Sequence, residues 1–308
     1  MPMHNDHLLE PLSICIFSPA GAVQEAKRLR AAAKNLQAHG CLVKVDAAAA
    51  VRQMRFAGTD AERLAAFERV AADPAVHVGL ATRGGYGMSR ILAQLDYKRL
   101  AASGKKWVGM SDFTAFSCAM LAQLGSCPEA VTYAGPLATD QFGDAAFDDV
   151  TMDCFLEAMR GELEAVGFRS KTALADGLDV KGVLWGGNLT LLTALLGTPY
   201  WPKIKGGILF IEDVNEHPYK VERMLLQLLQ AGVLEGQKAI LLGHFTNFKP
   251  LPNDRGYRLK TCLDYVAAQC KTPIITGLPV GHVSTIVTLP IGAKVQLLVQ
   301  GRDVFLVF

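Results

Sequence analysis

The 308 residues are half apolar and 19% charged, with a formal net charge of +2. That balance fits a soluble, enzyme-sized chain of two modest domains, and it offers neither a basic nucleic-acid footprint nor a polybasic membrane face. The seven cysteines are odd in number, widely spaced and without a Cys-x-x-Cys pair, which argues against a disulfide framework and a zinc site.

The first residues, with His4, Asp6, His7 and Glu10, lack a basic start followed by an apolar core, so no secretory signal is expected. Every apolar run is too short or too interrupted to span a membrane. A cytoplasmic protein with reduced thiols is the expectation. Leu12 to Phe17 reads as a strand ended by Ser18-Pro19-Ala20-Gly21, followed by a helix over Val23 to His39 and a strand over Cys41 to Val45. Thr59 or Asp60 caps a helix with Leu64, Phe67 and Val70 on one side. Val76 to Ala81 is a third strand, ended by Arg83-Gly84-Gly85-Tyr86-Gly87. A short helix over Ser89 to Leu95 and a strand at Trp107-Val108 follow. Strands alternating with helices predict a parallel sheet covered on both faces, with ligands outside the carboxyl ends of its strands.

Residues 146–178 read as an acidic link between halves 1–145 and 179–308, with one amphipathic helix near Val150 to Met159. The second half shows a strand into Trp185-Gly186-Gly187-Asn188, the apolar strand Ile208 to Ile211 ended by Glu212-Asp213, and a helix carrying Val221, Leu225 and Leu228. A strand ending at Gly243-His244, a loop Gly277 to His282 and closing, partly antiparallel strands complete it.

Gly109-Met110-Ser111-Asp112, between a strand and a helix beginning near Thr114, places a serine on a sharp turn beside unpaired helix N–H groups. An oxyanion forming there would be stabilised. Ser111 or Asp112 equally suits a plain helix cap, and Phe113 stands where the usual elbow has glycine. A serine nucleophile needs a base and a group that orients the base. Of the histidines, His217, His244 and His282 lie in loops after or between strands, and spacing does not choose among them. Glu212 ends a buried strand, where a carboxylate must be paired; histidine or a basic residue would serve. Asp213 is expected to face the opposite side. The Arg83 to Gly87 turn could offer a second oxyanion N–H, and the glycines of 186–187 suit a tight turn. No metal-ligand spacing occurs, and no cofactor is expected.

At these residues the chain resembles the LD-carboxypeptidases, the serine peptidase family that trims murein peptides. The matches are Arg83-Gly84-Gly85-Tyr86-Gly87 with Arg90, Gly109-x-Ser111-Asp112-x-Thr114 and Gly186-Gly187-Asn188-Leu189. Glu212-Asp213-x-x-Glu216-x-Pro218-Tyr219 with Arg223, Gly277-Leu278-Pro279-x-Gly281-His282 and Leu289-Pro290-x-Gly292 follow in the family's order. The resemblance implies an α/β protein: an N-terminal flavodoxin-like parallel-sheet domain and a C-terminal mixed α/β, barrel-like domain. It implies Ser111 as nucleophile, His282 as base and Glu212 as orienting acid, with the N–H groups of Gly85 and Asp112 as oxyanion hole. Arg83, Gly84, Tyr86, Trp185, Asn188 and Glu216 are the substrate-binding residues it suggests. The implied reaction releases the terminal D-alanine of a muropeptide tetrapeptide in cytoplasmic murein recycling, by a homodimer. The family's self-immunity branch, which hydrolyses a peptide-nucleotide antibiotic, is the alternative; there Trp185 would stack a base. A non-catalytic muropeptide sensor stands behind both.

Overall fold

A computed structural model describes residues 11–144, 147–171 and 175–308, which leaves His4, Asp6, His7 and Glu10 outside the described residues. The first sheet contains β1 (Ser13–Phe17), β2 (Leu42–Val45), β3 (Val78–Ala81), β4 (Lys106–Gly109) and β5 (Thr132–Ala134), all parallel, in the order 2-1-3-4-5. This is the flavodoxin-like winding, whose order reverses between β1 and β3. Period-2 alternation splits β1 between two cores. Cys15 and Phe17 face α2 (Asp60–Ala72), α3 (Met88–Ile91), α4 (Tyr97–Ala102) and α5 (Thr114–Leu124), where Phe17 meets Trp107 edge-on and Phe67 packs tilted against Trp107 and Phe116. Ile14 and Ile16 face α1 (Ala26–Ala38) and α6 (Asp149–Arg160). Each fully buried aromatic or branched side chain contributes about 1.5–3 kcal/mol to holding these layers. Of the two expected caps on α2, Thr59 does the work, in a reciprocal capping box with Glu62.

The stretch expected as a link is built into both halves. α6 covers the first sheet with Met152, Phe155 and Leu156, while β6 (Ala165–Arg169) is an edge strand of the second. The second sheet adds β7 (Asp179–Asn188), β8 (Ile208–Val214), β9 (Ala239–Thr246) and β10 (Ile274–Thr276), which run parallel. β11 (Leu289–Ile291) leaves this half and pairs antiparallel with β5, so the first sheet is completed by the far end of the chain. β12 (Lys294–Gln300) and β13 (Asp303–Val307) join antiparallel, giving the order 10-9-8-7-12-13-6. The two edges curl toward each other: Lys171 N–H donates to Thr276 Oγ1 at 3.4 Å, and Gly277 lies against the Arg169 carbonyl. That curl is the barrel-like character of this half. α7 (Leu189–Leu195), α8 (Pro218–Gln230) and α9 (Leu259–Gln269) cover it, and one apolar core runs unbroken from α5 into β7 and α7. No helix among the described residues is long and apolar enough to cross a membrane.

Candidate active site

Three turns of the first half meet on one sheet edge. The turns after β1 and β3 are tied by Gly21 N–H donating to the Gly84 carbonyl at 2.9 Å. The turn after β4 carries Ser111, whose φ of 64° is left-handed, a conformation costing a non-glycine residue about 1–2 kcal/mol. Its surroundings enforce that geometry. A Cβ on Gly109 would stand 2.5 Å from Phe113, and one on Gly84 would stand 2.6 Å from Ser111 Cβ, 2.7 Å from its Oγ and 3.1 Å from the Asp112 nitrogen. Only backbone can pass this close, so the glycines bring the 83–87 loop onto the serine. Gly85 itself is left-handed at φ 87°.

Asp112 is nearly wholly buried, and its Oδ2 accepts from Met88 N–H at 2.8 Å while Oδ1 has no partner. Burial pushes its carboxyl up to about 6, against the lowering pull of the Met88 and Gly87 N–H groups and of Arg63 and Arg55. The side chain thus ties the serine turn to the start of α3.

In the second half Glu212 has no exposed surface, and its Oε2 lies 3.2 Å from His282 Nδ1. A neutral imidazole donating from Nδ1 leaves Nε2 free to accept a proton. Burial pulls the His282 pKa down, but the hydrogen bond and charge of Glu212, helped by Asp140 and Asp213, raise it above the ordinary value. Asn188 Nδ2 donates to Glu212 Oε1 at 3.3 Å and to Asp213 Oδ1 at 2.9 Å. Asn188 stands beside Glu212 in the β7–β8 register, so the one amide at that strand end reaches both neighbouring carboxylates. Asn188 N–H donates in turn to Thr114 Oγ1 at 3.0 Å, at the head of α5. A hydrogen-bonded string therefore runs from the serine's helix through β7 and β8 to the histidine loop. Among the described residues no hydrogen bond joins the Ser111 hydroxyl to His282; in many unliganded enzymes that contact tightens only around substrate.

Of the other loop histidines, His217 pairs with Asp254 at 3.0 Å, and His244 is exposed, its pKa lowered by burial of part of the ring and by Lys171. Arg83 folds back, its Nη1 donating to the Ala22 carbonyl at 3.3 Å. Tyr86 is exposed beside Arg55 and Phe56, and Glu216 is paired with Lys220. Trp185 is not brought to the site. It is 1% exposed, packs against Trp201 and donates to Gln237 at 3.0 Å. A cavity of about 320 Å³ opens beside His282, lined by Asp140, Gln141, Asp148 and Ser284 among others. A cleft of about 450 Å³ lined by Lys181, Lys205, Lys238 and Lys294 lies at the opposite end of the parallel strands from Glu212. Among the described residues no three His, Cys, Asp or Glu side chains converge as a metal site.

The sequence motifs do not single out Arg63, and they give no role to Asp213, which accepts from the Asn188 amide and the Thr190 N–H. A buried-face position for Arg63 was the one available signal, since it precedes Phe67 by four.

Comparison with known proteins places these elements. Residues 14–129 match the N-terminal and residues 181–297 the C-terminal domain of the LD-carboxypeptidases. The chain is 31% identical over 287 residues to a probable murein peptide carboxypeptidase of Bacillus subtilis, covering 92% of this chain and 88% of that one. It superposes on muramoyltetrapeptide carboxypeptidase from Oxalobacter formigenes with a TM-score of 0.87 and 40% identity, over 96% of this chain and 97% of that one. It is 26% identical over 275 residues to the microcin C7 self-immunity protein of Escherichia coli, covering 80% and 78%. Matched through both halves in sequence and in fold, the chain belongs to the LD-carboxypeptidase family and is a peptide hydrolase.

Proposed function

We propose that Ser111, His282 and Glu212 act as a catalytic triad that releases the terminal D-alanine of murein tetrapeptides, cutting the amide between an L-centre and a D-residue. His282 Nε2 takes the Ser111 proton as Oγ attacks the carbonyl carbon. The N–H groups of Gly85 and Asp112 hold the oxyanion, and Glu212 holds the imidazolium. His282 then gives its proton to the departing D-alanine amine, and water, activated by the same imidazole, hydrolyses the acyl-enzyme. The peptide carboxylate would meet Arg83 and the backbone of Gly84. Cytoplasmic murein recycling by a homodimer completes this reading.

The observation that carries it is the buried Glu212–His282 pair, tied through Asn188 to Thr114 at the head of the helix that follows a left-handed serine with glycine backbone pressed against it. Mass-spectrometric readout of a defined tetrapeptide tests it. Wild type should yield tripeptide and D-alanine, and Ser111→Ala should yield neither while melting normally; an active alanine variant ends the proposal. The peptide-nucleotide alternative is the weaker one because Trp185, its base-stacking candidate, is a core residue.

A further inference from the structure

Arg63 is a buried cation with no task in the chemistry above. α2 turns it inward beside Phe67, and its side chain has no exposed surface. The guanidinium pairs with Asp60, and Nη1 donates to the carbonyls of Gly87 at 2.7 Å and Pro19 at 3.3 Å, while Nε has no partner. Burying a guanidinium is a poor way to stabilise a helix, since an apolar side chain of similar volume commonly does as well or better. Its contacts indicate another use. Pro19 and Gly87 stand in the turns after β1 and β3, which flank the reversal of strand order. Gly87, at φ 155°, passes so close that a Cβ would stand 2.6 Å from Nη1. The next residue, Met88, is held from the other side by Asp112 Oδ2 at 2.8 Å. The loop is pinned at Gly87–Met88 from two directions, two residues after Gly85.

We infer that Arg63 is a positioning residue for acyl transfer: it fixes the 83–87 loop against the serine turn and so aims the Gly85 N–H at the oxyanion. This rests on the roles proposed for Ser111 and Gly85. A donor displaced by 1 Å can cost roughly 100-fold in rate. Because the oxyanion exists only on the way through the transition state, such a displacement lowers kcat and spares KM.

Three variants test it. Arg63→Met keeps bulk without donors, Arg63→Lys keeps charge with fewer donors, and Asp60→Asn loosens the guanidinium from its solvent side together with the exposed Arg90 pair, for which Arg90→Gln is the control. Each is assayed for D-alanine release and for the rate at which a fluorophosphonate labels Ser111, a reaction that uses the same oxyanion hole. The expected result is a kcat fall of roughly 10- to 100-fold for Arg63→Met with KM within about twofold. Arg63→Lys should lie between, Asp60→Asn should show a smaller loss of the same kind, and labelling rates should follow that order. A purely structural arginine would lower the melting temperature and leave kcat of the folded protein unchanged. Wild-type kcat in folded Arg63→Met, or in Asp60→Asn if the methionine variant does not fold, overturns the inference. If wild type releases no D-alanine, the substrate assignment has failed, and the order of labelling rates still decides the role of Arg63.

Discussion

Glu212 Oε2 stands 3.2 Å from His282 Nδ1, although the residues are 70 apart in the chain and belong to β8 and to a loop after β10. The carboxylate is fully buried, so its pairing is an electrostatic necessity as well as a hydrogen bond. It also fixes which ring nitrogen carries the proton.

Glu212→Gln should therefore lower kcat by roughly 100- to 10,000-fold through loss of an oriented base. Glu212 raises the His282 pKa, so the acid limb of kcat/KM should move to lower pH in the variant. Stability gives an independent check. A histidine with a raised folded pKa contributes stability that is complete below its unfolded value of 6.5 and fades as pH rises through the raised value. Wild type should thus lose more stability than Glu212→Gln between about pH 5 and pH 9 in denaturant titrations. Parallel curves would show that the pair does not hold in solution.

The left-handed Ser111 inverts an ordinary preference. At most positions alanine is more stabilising than glycine; at φ 64° glycine avoids the Cβ penalty. Ser111→Gly should be more stable than Ser111→Ala by about 1 kcal/mol, with both inactive. The reverse order in thermal melts would mean that the turn relaxes once the hydroxyl is gone.

Much of this site was legible because its turns end apolar runs. Ser18–Gly21, Arg83–Gly87 and Gly109–Asp112 each close a strand buried on both faces, and such strands announce themselves by composition. β5 and β11, three residues each, carry no period, and their pairing joins Ala134 to Leu289, a relation no local pattern encodes. The fate of Arg63 was equally hidden: on a helix it resembles any solvated cation until the turns at Pro19 and Gly87 close over it. The tie from Asp213 through Asn188 to Glu212 was hidden as well, because it crosses from β8 to β7 and no local pattern encodes it.

Trp185 offers a clean contrast between core and ligand site. Trp185→Phe loses the bond to Gln237 Oε1, an atom that also accepts from Gly207 N–H. The expected cost is about 1–3 kcal/mol of stability. Turnover of tetrapeptide by the folded variant should match wild type, since the ring is 1% exposed. A large rise in KM with unchanged stability would put this ring against substrate and revive the peptide-nucleotide reading.

Asp112 makes the last prediction, and its sign follows from burial. With its folded pKa pushed up to about 6 from 3.8, the carboxyl keeps its proton in the folded state where the unfolded chain has already lost it. Across that window the unfolded state binds fewer protons, so stability declines as pH rises. The rise of about two pKa units, in which the opposing pull of Arg63 and Arg55 is already contained, corresponds to about 3 kcal/mol. Asp112→Asn carries no charge, and its amide oxygen can still accept the Met88 N–H. It should therefore be more stable than wild type near neutral pH and no more stable below about pH 4. Urea titrations at the two pH values measure the difference, and a stability gap independent of pH would show that the Asp112 carboxyl ionises as freely in the folded protein as in the unfolded chain.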